Sequence, residues 1–183
     1  LTADKKIAAA KKQWPELSSM GTTLTCLLVI GDQYIWGNIG DSRIYLIHKN
    51  HIHQITKDHT YLEHFGGKNK ENLPKKVREQ YGNTLTKALD GSLQTPDIYP
   101  LNEDSMRLKP GQAFLLCSDG LITDTTEDKP NRLLETVHRE ADLQAAAHKL
   151  IDQAYQDGSS DNITVLLAAY GKIPKKKYPR SIL

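Results

Sequence analysis

The chain has 183 residues, 38% hydrophobic and 25% charged, enough to bury one sizeable core and typical of a globular domain. Lysine and arginine total 24 against 22 aspartates and glutamates, a net charge of +2 with the basic residues dispersed, which argues against nucleic acid as a partner. No stretch reaches membrane-spanning length and no signal-peptide pattern opens the chain; Cys26 and Cys117 both sit in apolar runs as small hydrophobes, so a soluble cytoplasmic protein is expected.

In chain order, Ala3, Ile7, Ala10 and Trp14 recur at helical spacing between lysines and Pro15 ends the run, predicting an amphipathic helix over 2–14 with those residues on its core face. TTLTCLLVI (22–30), a turn at Gly31 and Asp32, QYIWGNI (33–39), a turn at Gly40 and Asp41, and RIYLIH (43–48) predict a meander of antiparallel strands. A fourth strand, HIHQI (51–55), follows the turn at Lys49 and Asn50. From 58 to 82 the sequence is polar and glycine-spotted, predicting a short helix and then a mobile excursion.

Order resumes at TLTKAL (84–89), a proline-flanked strand is expected around 97–101, and QAFLLCS (112–118) reads as a strand after the turn at Pro110 and Gly111. Leu143, Ala146, Ala147, Leu150, Ile151 and Ala154 form a stripe that predicts a helix over 142–156, and residues 163–170 close as an apolar strand. Strands grouped in meanders, with helices outside them, argue for antiparallel sheets faced by helices and against a wound βαβ fold.

Three acids stand where an apolar run meets a loop. Asp41 follows Gly40 in NIGDSR, Asp119 ends the run FLLCSDG, and Asp161 precedes the strand NITVLL. A carboxylate held at such a junction is costly without a partner, and a hard divalent cation is a natural one. Gly-Asp and Asp-Gly are also ordinary turn pairs, so each acid taken singly is better explained as a loop cap.

The ordered series MGTTLTCLLV, GDSRIYLI, ITKDHT, NTLTKALDG, FLLCSDGL and GSSDNITVLL, from about Met20 to Ala169, resembles the metal-dependent protein serine/threonine phosphatases of type 2C, above all their compact bacterial members. The resemblance implies an α+β fold, a four-layer αββα sandwich of two antiparallel sheets flanked by helices. It also implies a Mn²⁺ or Mg²⁺ centre of two or three ions, acting on phosphorylated proteins in signalling. Carried over by position, Asp119 and Asp161 match core metal ligands, and Asp41 matches the acid of an additional, weaker site. Ser118, Gly120 and Asn162 stand beside the ligands as groups that orient them. Two cations acidify a shared water and neutralise phosphoryl oxygens during in-line attack, with no covalent intermediate.

Two departures from the family pattern bear on function. A further acid is expected four residues after the first of these ligands; Thr123 stands there, and Asp124 follows one position later, leaving it a weaker candidate ligand. The family's first metal-binding acids, its Asp-Gly-x-Gly-Gly segment and its phosphate-binding arginine precede the helix that starts here near Leu1. Residues 1–171 are therefore expected to be the C-terminal part of a catalytic domain holding half of a metal site, weakly active or inactive alone, with 58–82 as a flap-like excursion and 172–183 as a basic tail. Uncovered sheet edges are expected, and self-association of the fragment is one way to cover them.

Other readings are weaker. His51 and His53 share a strand face that suits zinc, but no third ligand follows at useful spacing. Ser118 and Cys117 lack any nucleophile signature, and His59 in KDHT reads as loop support. The alternative from another class is a catalytically inactive, phosphatase-like regulatory or interaction domain.

Overall fold

The computed structural model describes residues 2–66, 73–74, 76–77, 81, 84–99, 106–123, 126 and 131–173. Its elements are α1 (Thr2–Gln13), β1 (Leu24–Ile30), β2 (Gln33–Ile39), β3 (Arg43–His48), β4 (His51–Gln54), β5 (Asp97–Tyr99), the two-residue β6 (Met106–Arg107), β7 (Gln112–Cys117), α2 (Asn131–Arg139), α3 (Leu143–Gln156) and β8 (Val165–Tyr170). They fall into two units, Leu1–Ser42 with Lys57–Met106, and Arg43–Thr56 with Arg107–Leu183. Among the described residues no helix is long and apolar enough to cross a membrane.

In the first unit the strand order is β1-β2-β5, antiparallel throughout, with Leu24 opposite Ile39, Ile30 opposite Gln33, and Asn38 opposite Asp97. Trp36 and Tyr99 face each other across β2 and β5 with ring centroids 5.8 Å apart. Alternation in β2 buries Tyr34, Trp36 and Asn38, whereas β1 buries none of its seven residues. Leu24, Leu28, Ile30, Ile35 and Ile98 all stay exposed, and their register puts them on one face of the sheet.

Helix α1 departs from its expected stripe. Trp14 is exposed, and the buried residue is Asp4, whose carboxylate accepts from the backbone N–H of Gly91 at 2.7 Å and of Leu93 at 2.6 Å. A polar clamp takes the place of the Ala3-Ile7-Ala10-Trp14 face, because a carboxylate meeting two backbone donors can be buried where a bare charge cannot.

The second unit has strand order β4-β3-β7-β8, again antiparallel, with Arg43 opposite Cys117 and Cys117 opposite Val165. Helices α2 and α3 supply the cover of this sheet: Leu133, Leu134, Val137, Ala146, Leu150 and Ala154 form one cluster with Tyr45, Ile47, Ala113, Leu115, Cys117 and Leu121. Asp142 caps α3, its side chain accepting from Ala145 N at 2.8 Å.

The expected meander is corrected at Gly40 and Asp41. β1 and β2 pair in one sheet and β3 and β4 in the other, so the segment between β2 and β3 carries the chain from sheet to sheet instead of closing a hairpin. The excursion at 58–82 is described only in part: Leu62–Gly66 forms a wide π-type turn where a short helix was expected, while much of the rest lies outside the described residues, as does most of the basic tail. Helix α2 was not expected from the sequence.

Candidate functional site

Strand β7 lies between β3 and β8, so its C-terminal end is held from both sides. Ser118 continues that pairing. Its N–H donates to Thr164 O at 3.1 Å, and its hydroxyl accepts from Thr164 N at 3.0 Å and donates to Asn162 O at 3.1 Å. The loop before β8 is thus laced to the end of β7 by one serine. Asp119 then begins a single 3₁₀ turn, Asp119–Leu121, closed by Ile122 N donating to Asp119 O at 2.7 Å and anchored by Leu121, which is 1% exposed.

Gly120 lets the two acid-bearing loops meet. A Cβ on it would lie 2.5 Å from Asn162 O and 3.3 Å from the Cβ of Asp161, so any larger residue would drive the loops apart. Ser159 adds a second tie, its hydroxyl donating to Gly120 O at 2.7 Å. The two acids are therefore brought side by side at the end of a buried strand.

Each carboxylate is oriented by its own backbone. Asp119 Oδ1 accepts from Gly120 N at 2.9 Å, and Asp161 Oδ1 accepts from Asn162 N at 2.7 Å. Among the described residues no hydrogen bond falls on Oδ2 of either acid, which leaves hard oxygen donors of the kind Mg²⁺ and Mn²⁺ take. The donor chemistry fits a divalent cation, although among the described residues no three His, Cys, Asp or Glu side chains converge to hold one. These residues supply an acid pair, part of a coordination set.

The other sequence candidates are distributed as follows. Ser118 acts through its hydroxyl, whereas the hydrogen bonds of Asn162 come from its main chain. Asp41 belongs to the first unit and is partly exposed; Asp124 lies outside the described residues. Cys117 is buried in the core cluster, where a thiol packs as a hydrophobe. The rings of His51 and His53 stack with centroids 6.0 Å apart on exposed β4. Ser159 was missed, although its place in the DGSSDN loop between α3 and β8 was a signal in its favour.

The residues matched by the family described as protein phosphatase 2C are 2–153 of this chain. The chain belongs to the protein phosphatase 2C family. Among curated relatives, the serine/threonine protein phosphatase PstP of Mycobacterium tuberculosis is 34% identical over 163 residues, which is 88% of this chain and 30% of that protein. The serine/threonine phosphatase stp of Listeria welshimeri is 30% identical over 169 residues, 90% of this chain and 62% of that protein. The chain thus spans less than two thirds of either relative's length.

Solved phosphatase structures align over nearly the whole chain. The catalytic domain of PstP in complex with two manganese ions matches with a TM-score of 0.74 at 31% identity, over 92% of this chain and 67% of that one. The S. agalactiae serine/threonine phosphatase matches with a TM-score of 0.75 at 26% identity, over 93% and 67%. Two antiparallel sheets with flanking helices are the α+β fold expected from the sequence, and this phosphatase 2C chain shares it with these structures.

Proposed function

We propose that this chain carries part of the metal site of a protein serine/threonine phosphatase, with Asp119 and Asp161 as ligands of Mn²⁺ or Mg²⁺ and Asp41 as the ligand of an accessory ion. The complete site takes two or three cations and hydrolyses phosphoserine and phosphothreonine in protein substrates. Asp124 is an additional, weaker ligand. Residues 1–171 form part of the catalytic domain, and the remaining residues form a basic tail. Neither Cys26 nor Cys117 forms a disulfide, which suits the cytoplasm.

The observation that carries this reading is the pair of laced loops that hold Asp119 beside Asp161. Ser118, Gly120 and Ser159 fix the backbone of both loops, and the N–H groups of Gly120 and Asn162 set the rotation of the two carboxylates. When bound, the cations supply an acidified water for attack on phosphorus and positive charge for the phosphoryl oxygens. The task of this chain's residues is to hold both acids fixed, so that little reorganisation accompanies the reaction.

Mn²⁺-dependent hydrolysis of an aryl phosphate by the full-length protein tests the proposal. Asp119→Ala should lower the rate by more than about a hundredfold, beyond what the loss of an outer-shell partner costs. Wild-type rates in folded Asp119→Ala would sink the assignment. A folded full-length protein with no Mn²⁺-dependent hydrolysis would leave the non-catalytic, phosphatase-like regulatory domain as the better account.

A further inference from the structure

We propose that His59 is a positioning residue for Asp41, clamping the glycine before it so that its carboxylate meets the accessory cation at a fixed attitude. This inference rests on Asp41 being the accessory ligand. The supporting geometry lies wholly within the first unit.

Gly40 adopts φ +110°, and a Cβ there would lie 2.3 Å from Thr23 Cγ2, so position 40 admits only glycine. That requirement creates a difficulty, because the residue that must aim Asp41 is a glycine, whose backbone is the least restrained of any residue type. His59 removes the softness from both sides. Its Nδ1 accepts from Gly40 N at 3.0 Å, holding the peptide between Ile39 and Gly40, and its own backbone N donates to Gly40 O at 3.0 Å, holding the peptide between Gly40 and Asp41. Asn38 Nδ2 also donates to Gly40 O, at 3.3 Å. A peptide unit is planar, so fixing the Gly40 carbonyl fixes the direction in which the Cα of Asp41 leaves it.

His59 is itself held. It is 7% exposed, its carbonyl accepts from Thr86 N at 2.8 Å, and its Nε2 lies 3.1 Å from Asp97 Oδ2, at ion-pair distance though not aligned as a hydrogen bond. With Nδ1 accepting, a neutral imidazole carries its proton on Nε2, toward that carboxylate. Lys87 Nζ stands 3.2 Å from the other oxygen of Asp97. The chain of contacts runs Lys87, Asp97, His59, Gly40 and ends at Asp41. A His that only filled space would need neither the Gly40 N–H nor the Asp97 carboxylate.

The two nitrogens of the imidazole separate the roles by substitution. Asparagine can place Oδ1 near the position of Nδ1 and keep the Gly40 contact, whereas glutamine reaches the Nε2 side and leaves the buried Gly40 N–H unpaired. Mn²⁺ binding to the full-length protein, followed by titration calorimetry and by electron paramagnetic resonance of free Mn²⁺, reads the sites apart from turnover. Asp41→Asn should weaken the weakest Mn²⁺ site. His59→Gln should weaken that same site about tenfold and leave the tighter sites unchanged, while His59→Asn stays close to wild type. His59→Ser supplies the same loss should His59→Gln not fold.

An unchanged weak site in folded His59→Gln or His59→Ser overturns the proposal, and so does His59→Asn as impaired as His59→Gln, which would make the role one of packing. If Asp41→Asn alters no Mn²⁺ site, the accessory role of Asp41 fails and this proposal with it, independently of the Asp119→Ala result.

Discussion

Strand β7 of the second unit buries five of its six residues, whereas β1 of the first, just as apolar in sequence, buries none of its seven. The difference is cover: α2 and α3 bring a layer of leucine, valine and alanine onto the sheet that contains β7, while Leu24, Leu28 and Ile30 of β1 remain open. The first unit relies instead on buried polar groups that find backbone partners, namely Asp4 on the Gly91 to Leu93 loop, His59 on Gly40 and Asn38 between Gly40 O and Lys57 O. An apolar run therefore specifies a strand but not its burial. Polar clamps such as these tie their stability to particular atoms more than an oily layer does.

The largest effect should come from breaking the oily layer. Leu115, 0% exposed in the middle of β7, becomes a cavity in Leu115→Ala, which should cost about 2–5 kcal/mol. Amide exchange should accelerate in β3, β7 and β8. Exchange unchanged in those strands would show that the second unit does not rest on this cluster. In the first unit, Asp4→Ala removes the acceptor of two backbone N–H groups and should cost about 1–3 kcal/mol, toward the lower end because Leu93 is 58% exposed and water can reach it. Its effect should appear as faster exchange in α1 and in Gly91 and Leu93. A neutral Asp4→Ala would mean that packing of α1, not the clamp, carries that unit.

The same contrast explains what could be read from the sequence. Strands and α3 were legible because hydrophobic period is a local property, and Asp119 and Asp161 could be picked out as candidates because each stands at a junction between an apolar run and a loop. The change of sheet at Gly40 was not legible, since a glycine and an aspartate between two strands write a hairpin and a crossing in the same letters. The burial of Asp4 was equally hidden, because the backbone donors it accepts from lie 87 and 89 residues away and give position 4 no local mark. Helix α2 could have been found from Leu133, Leu134 and Val137, whose spacing of three and four is helical.

The smallest expected effect is one of pH, and it concerns the anchor of the first unit's clamp. Partial burial pushes the carboxyl of Asp97 upward, but the polar contacts of His59 and Lys87 and the positive charge of Lys87 together outweigh it, so the group sits below its ordinary value of 3.8. A carboxyl depressed in the folded state contributes stability that is fully present above the unfolded value and is lost as pH falls through the folded one. The side chain is 42% exposed, so solvent screening limits the contribution to less than about 1 kcal/mol. Denaturant midpoints of wild type and Asp97→Asn should therefore differ most near neutrality and converge as the pH drops below 3.8, for as long as both remain folded. Amides of β2 and β5, which flank Asn38 and Asp97, should lose protection over the same interval. A difference that holds constant down to that range, or widens, would mean that Asp97 anchors His59 by shape and not by charge, and the first unit would then resemble the second more closely than its hydrogen bonds imply.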